Sequence, residues 1–221
     1  MFAKDLITDV VPFIKLNETG KHALKIMDIF RVSHLPLVED RIFKGIISET
    51  DIFDVNNIDI PFKDYDINIK KSYVYDVDHV YKAIEIASQD KLSIIPVLDK
   101  KEYYLGLITL PDIMDKLAEL FSLNQPGSIL YIEIKTNDYS LSEIAQIVEG
   151  NNLKIVSLYL ANTSNPHYIG IILRLNHTDI HDLLATFERY QYKVTTFQSE
   201  ENRLHEFYEE RMDSFMRFIN V

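Results

Sequence analysis

The chain has 221 residues, 47% of them hydrophobic and 26% charged, enough for one large domain or two small ones and too apolar to be mainly disordered. Lys plus Arg number 23 and Asp plus Glu 34; the net charge of −11 repels phosphate backbones and argues against nucleic acid and anionic membranes as partners. With no cysteine, disulfides, thiolate metal sites and a cysteine nucleophile are excluded, and a cytoplasmic home is expected.

No apolar run approaches the ~18 residues of a membrane span. Residues 1–20 carry Lys4, Asp5 and Asp9 and lack the continuous apolar stretch of a signal peptide. Neither GxGxxG nor GxxxxGK[ST] is present, so the standard backbone cradles for dinucleotides and nucleoside triphosphates are missing.

The first extended stretch is Val11–Leu16. Ala23, Ile26, Met27 and Phe30 follow at i, i+3, i+4 and i+7, the spacing of a helix with one apolar face. A strand at Leu35–Val38, a charged turn at Glu39-Asp40-Arg41 and a second strand at Ile42–Ile47 come next. Ser48 then opens a short helix. Residues 55–67 have turn-formers and Pro61 without a clean period, which reads as a connector.

The same series then recurs. An extended stretch at Tyr73–Val77 precedes a helix with Ala83, Ile86 and Ala87 on one face. Strands at Ile94–Leu98 and Tyr103–Ile108 flank the turn Asp99-Lys100-Lys101, and Thr109 opens the last helix, with Pro111 acceptable in its first turn. Ala23/Ala83, Ser33/Ser93 and Pro36/Pro96 match at an offset of 60. After one residue inserted in the turn, Gly45/Gly106, Ser48/Thr109 and Asp51/Asp112 match as well. The first 121 residues are thus a β-α-β-β-α unit used twice.

Ser122 to Ser128 breaks the rhythm. Beyond it the pattern predicts a strand from Ile129, a helix over Ser140–Glu149 stopped by Gly150, strands at Leu153–Ala161 and Tyr168–Asn176, a helix capped by Thr178, and a last strand at Tyr192–Phe197. The order βαββαβ predicts a ferredoxin-like sheet with helices on one face. Residues 200–221 read as a terminal helix with an apolar stripe that includes Leu204, Phe207 and Phe215. The fold class is therefore α+β, with units at 1–60, 61–121 and 128–199 and a terminal helix at 200–221.

The repeat resembles a tandem pair of CBS domains, the Bateman module. The likeness rests on Asp5-Leu6-Ile7-Thr8, Ser33-His34-Leu35-Pro36-Leu37-Val38 and Gly45-Ile46-Ile47-Ser48-Glu49-Thr50-Asp51. It rests equally on Ile94-Ile95-Pro96-Val97-Leu98 and Gly106-Leu107-Ile108-Thr109-Leu110-Pro111-Asp112. In that family, clefts between the two units bind adenosine-containing molecules and regulate an attached or partner protein. The resemblance implies that Ser48, Asp51, Thr109 and Asp112 hold a ribose, that His34 stands at a phosphate position and that Thr8 lies near the adenine. A carboxylate can accept from both vicinal hydroxyls, so the chemistry is sound. The second repeat has Ile94 where the first has His34, which predicts at most one phosphate-competent cleft. A nucleoside, an S-adenosylmethionine-like ligand or a monophosphate then fits better than a triphosphate. A plainer reading of S/T-x-x-D stays open beside this one: the motif resembles a capping box and starts a helix without any ligand.

Residues 129–198 resemble an ACT domain through their element order and Leu141-Ser142-Glu143-Ile144-Ala145. Tyr139 stands where ligand-binding members keep a permissive glycine, so the resemblance points to assembly rather than amino-acid binding. The whole is similar to acetoin-utilisation-type regulatory proteins. His177 and His181 have a metal-compatible spacing but lack a third ligand in sequence. The expectation is a non-enzymatic regulatory protein with no required cofactor, binding an adenosine nucleotide or S-adenosylmethionine and acting as a homodimer on a regulated protein. The alternative is a ligand-free dimerisation and interaction module.

Overall fold

The computed structural model describes residues 1–65 and 69–197. The terminal helix expected at 200–221 lies outside the described residues. The chain divides into two compact units, Met1–Leu117 and Ala118–Val221.

The first unit contains both repeats. In the first, helix α1 (Gly20–Phe30) is followed by strands β1 (His34–Glu39) and β2 (Ile42–Ser48) and the short helix α2 (Glu49–Phe53). In the second, strand β3 (Val74–Tyr75), helix α3 (Val80–Asp90), strands β4 (Ile94–Leu98) and β5 (Tyr104–Thr109) and helix α4 (Leu110–Leu120) repeat the order. The extended stretch that opens each repeat pairs only briefly. Ile14 makes a single parallel bridge to Leu37, and Val74-Tyr75 pairs with Val97-Leu98.

Each hairpin carries the same irregularity. Leu37 pairs with Gly45 and Val38 with Phe43, which leaves Lys44 as a bulge; Val97 pairs with Gly106 and Leu98 with Tyr104, which leaves Leu105 as one. The glycine after each bulge has a positive φ, 150° at Gly45 and 152° at Gly106. Both positions also lie under a crossing segment of backbone: a Cβ at Gly45 would come within 2.8 Å of the Lys70 carbonyl oxygen, and one at Gly106 within 3.4 Å of that of Thr8. This explains why the repeat keeps a glycine at this point of the strand.

The hairpin turns differ by the inserted residue. Asp40 and Arg41 both have positive φ, as a two-residue type I′ turn requires. The longer turn ends with Glu102 in the left-handed region, and the Asp99 side chain accepts from the Lys101 and Tyr103 amides. The insertion is thus a change of turn type.

Chain order and packing are crossed. Ala3 and Leu6 are buried with the second repeat's core, and the amides of Ala3 and Lys4 donate to the carbonyls of Asp78 and Asp76. Phe62, beyond the first repeat's helices, is buried in the first repeat's core beside Ile14, Leu35 and Ile47. Ile94 and Leu107 join that same core from the second repeat. A further buried cluster takes Val38, Phe43 and Ile46 from the first repeat and Leu92 and Leu98 from the second.

In the second unit, strands β6 (Ile129–Lys135), β7 (Ile155–Asn162), β8 (Tyr168–Leu175) and β9 (Lys193–Phe197) form an antiparallel sheet in the order β7-β8-β6-β9. Helices α5 (Leu141–Gly150) and α6 (His181–Arg189) contribute Ile144, Val148, Leu183 and Phe187 to a core over Leu130, Ile132, Ile171 and Leu173. This is the ferredoxin-like arrangement expected from the element order. Two details differ. The helix after β8 starts at His181 with Ile180 at the N-cap position, two residues beyond the expected cap Thr178, and the Asp179 carboxylate accepts the His181 amide. Gly150 is the last helical residue of α5, and the left-handed position is taken by Asn152. Tyr139 packs onto this core, and Ser140 caps α5 by accepting from the Glu143 amide.

Candidate functional site

Ser48 and Thr109 end their strands and begin their helices, and each is locked to an aspartate three residues on. The Ser48 amide and hydroxyl donate to Asp51 Oδ2 at 2.8 and 2.5 Å, and the Asp51 amide donates back to the Ser48 hydroxyl at 3.0 Å. At the second repeat, the Thr109 amide and hydroxyl donate to Asp112 Oδ2 at 3.1 and 2.5 Å, and the Asp112 amide returns a bond of 3.2 Å. Both motifs are therefore complete capping boxes. In both, one carboxylate oxygen makes the cap, so Oδ1 is the atom left to accept from a ligand. Capping and ligand binding do not compete for the same atom.

The structure separates the six candidate residues into two groups. Thr8 bridges Leu107 on β5, which brings it to Thr109 and Asp112. These three, with Ser93, give the polar lining of a cleft of about 390 Å³. Val10, Val11 and Val32 form its apolar wall, and Arg31 is the one cation among its described lining residues. Such an opening suits a flat apolar ring with polar groups at one end. Arg31 has a left-handed backbone at the end of α1, and its guanidinium rests on the exposed Asp28 at 3.1 Å. An exposed pair of this kind is weak, so the guanidinium is available to an incoming anion.

His34, Ser48 and Asp51 form the other group. The Ser33 carbonyl accepts from the Glu49 amide and the Ser93 carbonyl from the Leu110 amide, so these serines are equivalent pivots of the two halves. Between them the symmetry is broken by His34. The Ser33 amide donates to the Ser93 hydroxyl at 3.0 Å, while the Ser93 amide donates to His34 Nδ1 at 3.2 Å. An amide can only donate, so Nδ1 is the unprotonated nitrogen and the ring proton sits on Nε2. Burial lowers the His34 pKa; the nearby Asp51 opposes that shift and Lys70 adds to it. His34 is accordingly a neutral hydrogen-bond donor, a weaker anion ligand than a charged ring.

A pH dependence follows with a defined sign. The unfolded chain takes up a proton on His34 near the ordinary 6.5, and the folded chain resists it. The stability is present above that value and is lost as pH falls. Thermal unfolding followed from about pH 7.5 to about pH 5 should show a shallower loss in His34→Asn, whose side-chain oxygen replaces Nδ1 as acceptor. Equal slopes would remove His34 from the account.

Sequence reasoning did not mark Arg31, Val10 or Val11 as parts of the cleft. Arg31 lies just past the helix face used to set the repeat, and its match at an offset of 60, Lys91, was the available signal. Among the described residues, no three of His, Asp and Glu converge as a metal site would require.

Residues 3–57 and 65–119 each match the CBS domain. The chain is a tandem CBS-domain protein. The pair can be set beside solved structures. A CBS domain pair/ACT domain protein from Thermotoga maritima is 20% identical, with a TM-score of 0.48 over 54% of this chain and 98% of the other. An acetoin utilization protein from Vibrio cholerae is 18% identical, with a TM-score of 0.49 over 56% of this chain and 95% of the other. CBSX2 in complex with AMP is 18% identical, with a TM-score of 0.46 over 54% of this chain and 97% of the other. In sequence, a homoserine O-acetyltransferase from Methanosarcina acetivorans is 31% identical over 97 residues, 43% of this chain. The chain spans only 18% of the length of that relative. No helix among the described residues of this CBS protein is long and apolar enough to cross a membrane.

Proposed function

We propose that the CBS pair is a non-enzymatic sensor whose Asp112 cleft binds an adenosine-containing metabolite and biases contacts with a partner. The observation that carries this is the convergence of Thr8, Thr109 and Asp112 on one cleft with a valine wall and a single cation. The ring would lie against Val10, Val11 and Val32, and the ribose hydroxyls would donate to Asp112 Oδ1. Arg31 would meet one phosphate. One cation in an acidic chain favours a monophosphate or a positively charged adenosyl group over a polyphosphate. Binding across the two repeats would favour one relative arrangement of them. The ACT-like unit is then a means of assembly, in keeping with Tyr139, and the exposed Ile29, Phe53 and Met114 offer apolar surface for a homodimer.

Isothermal calorimetry with AMP, ADP, ATP, adenosine and S-adenosylmethionine tests the reading. AMP should bind more tightly than adenosine, and Arg31→Ala should abolish that difference while adenosine binding persists. Flat isotherms with all five would favour the second reading, a ligand-free interaction module, which the completeness of both capping boxes supports.

A further inference from the structure

The repeat implies a counterpart of the Asp112 cleft around His34, Ser48 and Asp51, the Asp51 cleft, and the two are furnished differently at matched positions. Thr8 bridges Leu107, two residues before Thr109, and Lys70 bridges Ile46, two residues before Ser48. Lys70 is thus the counterpart of Thr8, and Ser72 that of Val10. Asp90 ends α3 as Phe30 ends α1. Thr8, Val10 and Phe30 all line the Asp112 cleft. The repeat therefore puts Lys70, Ser72 and Asp90 along the Asp51 cleft, and there they are bonded to one another. Lys70 Nζ lies 2.5 Å from Asp90 Oδ1, and the Ser72 hydroxyl donates to Asp90 Oδ2.

Asp90 is out of place by helix rules. A carboxylate at the last residue of a helix faces the negative end of the dipole. The bonds from Lys70 and Ser72 offset that cost and hold the Asp90 carboxyl below its usual range. Ser72 is buried, so one end of the set is anchored. The Lys70 side chain is more than half exposed, at 56%, so the other end is free to move.

We propose that Lys70, Asp90 and Ser72 form a latch across the Asp51 cleft, so that ligand enters the pair at Asp112 and the Asp51 cleft takes a phosphorylated nucleoside only when the latch is broken. This rests on the reading of the Asp112 cleft as the ligand site. A phosphate entering beside Asp51 must displace the Asp90 carboxylate from Lys70. Without Asp90, Lys70 and the Nε2–H of His34 are both available to that phosphate.

Calorimetric stoichiometry with AMP on the full chain decides it. The unmodified protein should bind one AMP per chain and Asp90→Ala two. On an Asp112→Asn background only the weakened Asp112 site should remain, and a second, unweakened site should appear when Asp90→Ala is added. Two sites in the unmodified protein, or one in Asp90→Ala, would overturn the latch while leaving the Asp112 site standing. No site in the unmodified protein but one in Asp90→Ala would uphold the latch and sink the Asp112 reading; none in either would overturn both. Asp90→Asn, which keeps an acceptor for Ser72 and loses the charge, should also bind two and decides the matter if the alanine variant melts early by circular dichroism.

Discussion

Asp112→Asn is expected to weaken AMP binding by roughly 10- to 100-fold, the loss of one or two hydrogen bonds to a charged acceptor. The asparagine oxygen can still accept from the Thr109 amide and hydroxyl, so the helix start is kept and stability should change by less than about 1 kcal/mol. This separation matters because Asp112→Ala removes the cap and the ribose acceptor together and cannot tell them apart. A fall in affinity of less than about threefold, with the fold intact, would leave Asp112 as a cap alone. Asp51→Asn on the unmodified background should leave AMP affinity unchanged, since the Asp51 cleft is latched. Calorimetry on the two asparagine variants, with thermal melts to check the fold, is sufficient.

Gly45→Ala is expected to destabilise the first unit by about 3 kcal/mol, through backbone strain and a steric clash acting together. The φ of 150° is one that residues with a side chain rarely adopt, and the added methyl would lie 2.1 Å from Ile69 Cγ2 and 2.8 Å from the Lys70 carbonyl oxygen. That carbonyl cannot retreat without loss, since it accepts from the Ile46 amide at 2.8 Å. Urea denaturation followed by circular dichroism reads the effect. Gly150→Ala is the matched control: nothing lies within 4 Å of the added methyl at that position, so no loss is expected. A cost below about 1 kcal/mol at Gly45 would mean that the crossing segment yields freely.

Much of this was legible in the sequence because the pair repeats itself. Gly45/Gly106 and Ser48/Thr109 with Asp51/Asp112 mark the points where backbone conformation and helix capping admit few residues, and the offset between them gave both hairpins. The βαββαβ order was equally plain in the period of its apolar residues. What periodicity could not show was the grouping of the six candidates. Thr8 reaches Thr109 and Asp112 only because the chain's first residues pack on the second repeat, a contact across about a hundred positions. Lys70 and Asp90 were hidden for a related reason. Thr8 and Lys70 are 62 apart, not 60, so the alignment that exposed the repeat does not set them opposite each other. The cap of α6 falls two residues beyond Thr178, a good capping residue by sequence, because the fold puts Ile180 at the N-cap position without a side-chain cap.

The residue inserted in the second hairpin leaves the pairing around the bulges at Lys44 and Leu105 untouched. On the cleft side of the bulge the registers agree position for position, Leu35 with Ile47 and Ile95 with Ile108. On the turn side Val38 with Phe43 and Leu98 with Tyr104 agree as well, so the extra residue is confined to the turn itself. Extra length introduced at the exposed Lys100-Lys101 tip is therefore insulated from the residues around Asp112. That tip is a natural attachment point for a fluorophore or a short tag with which to follow the pair at work.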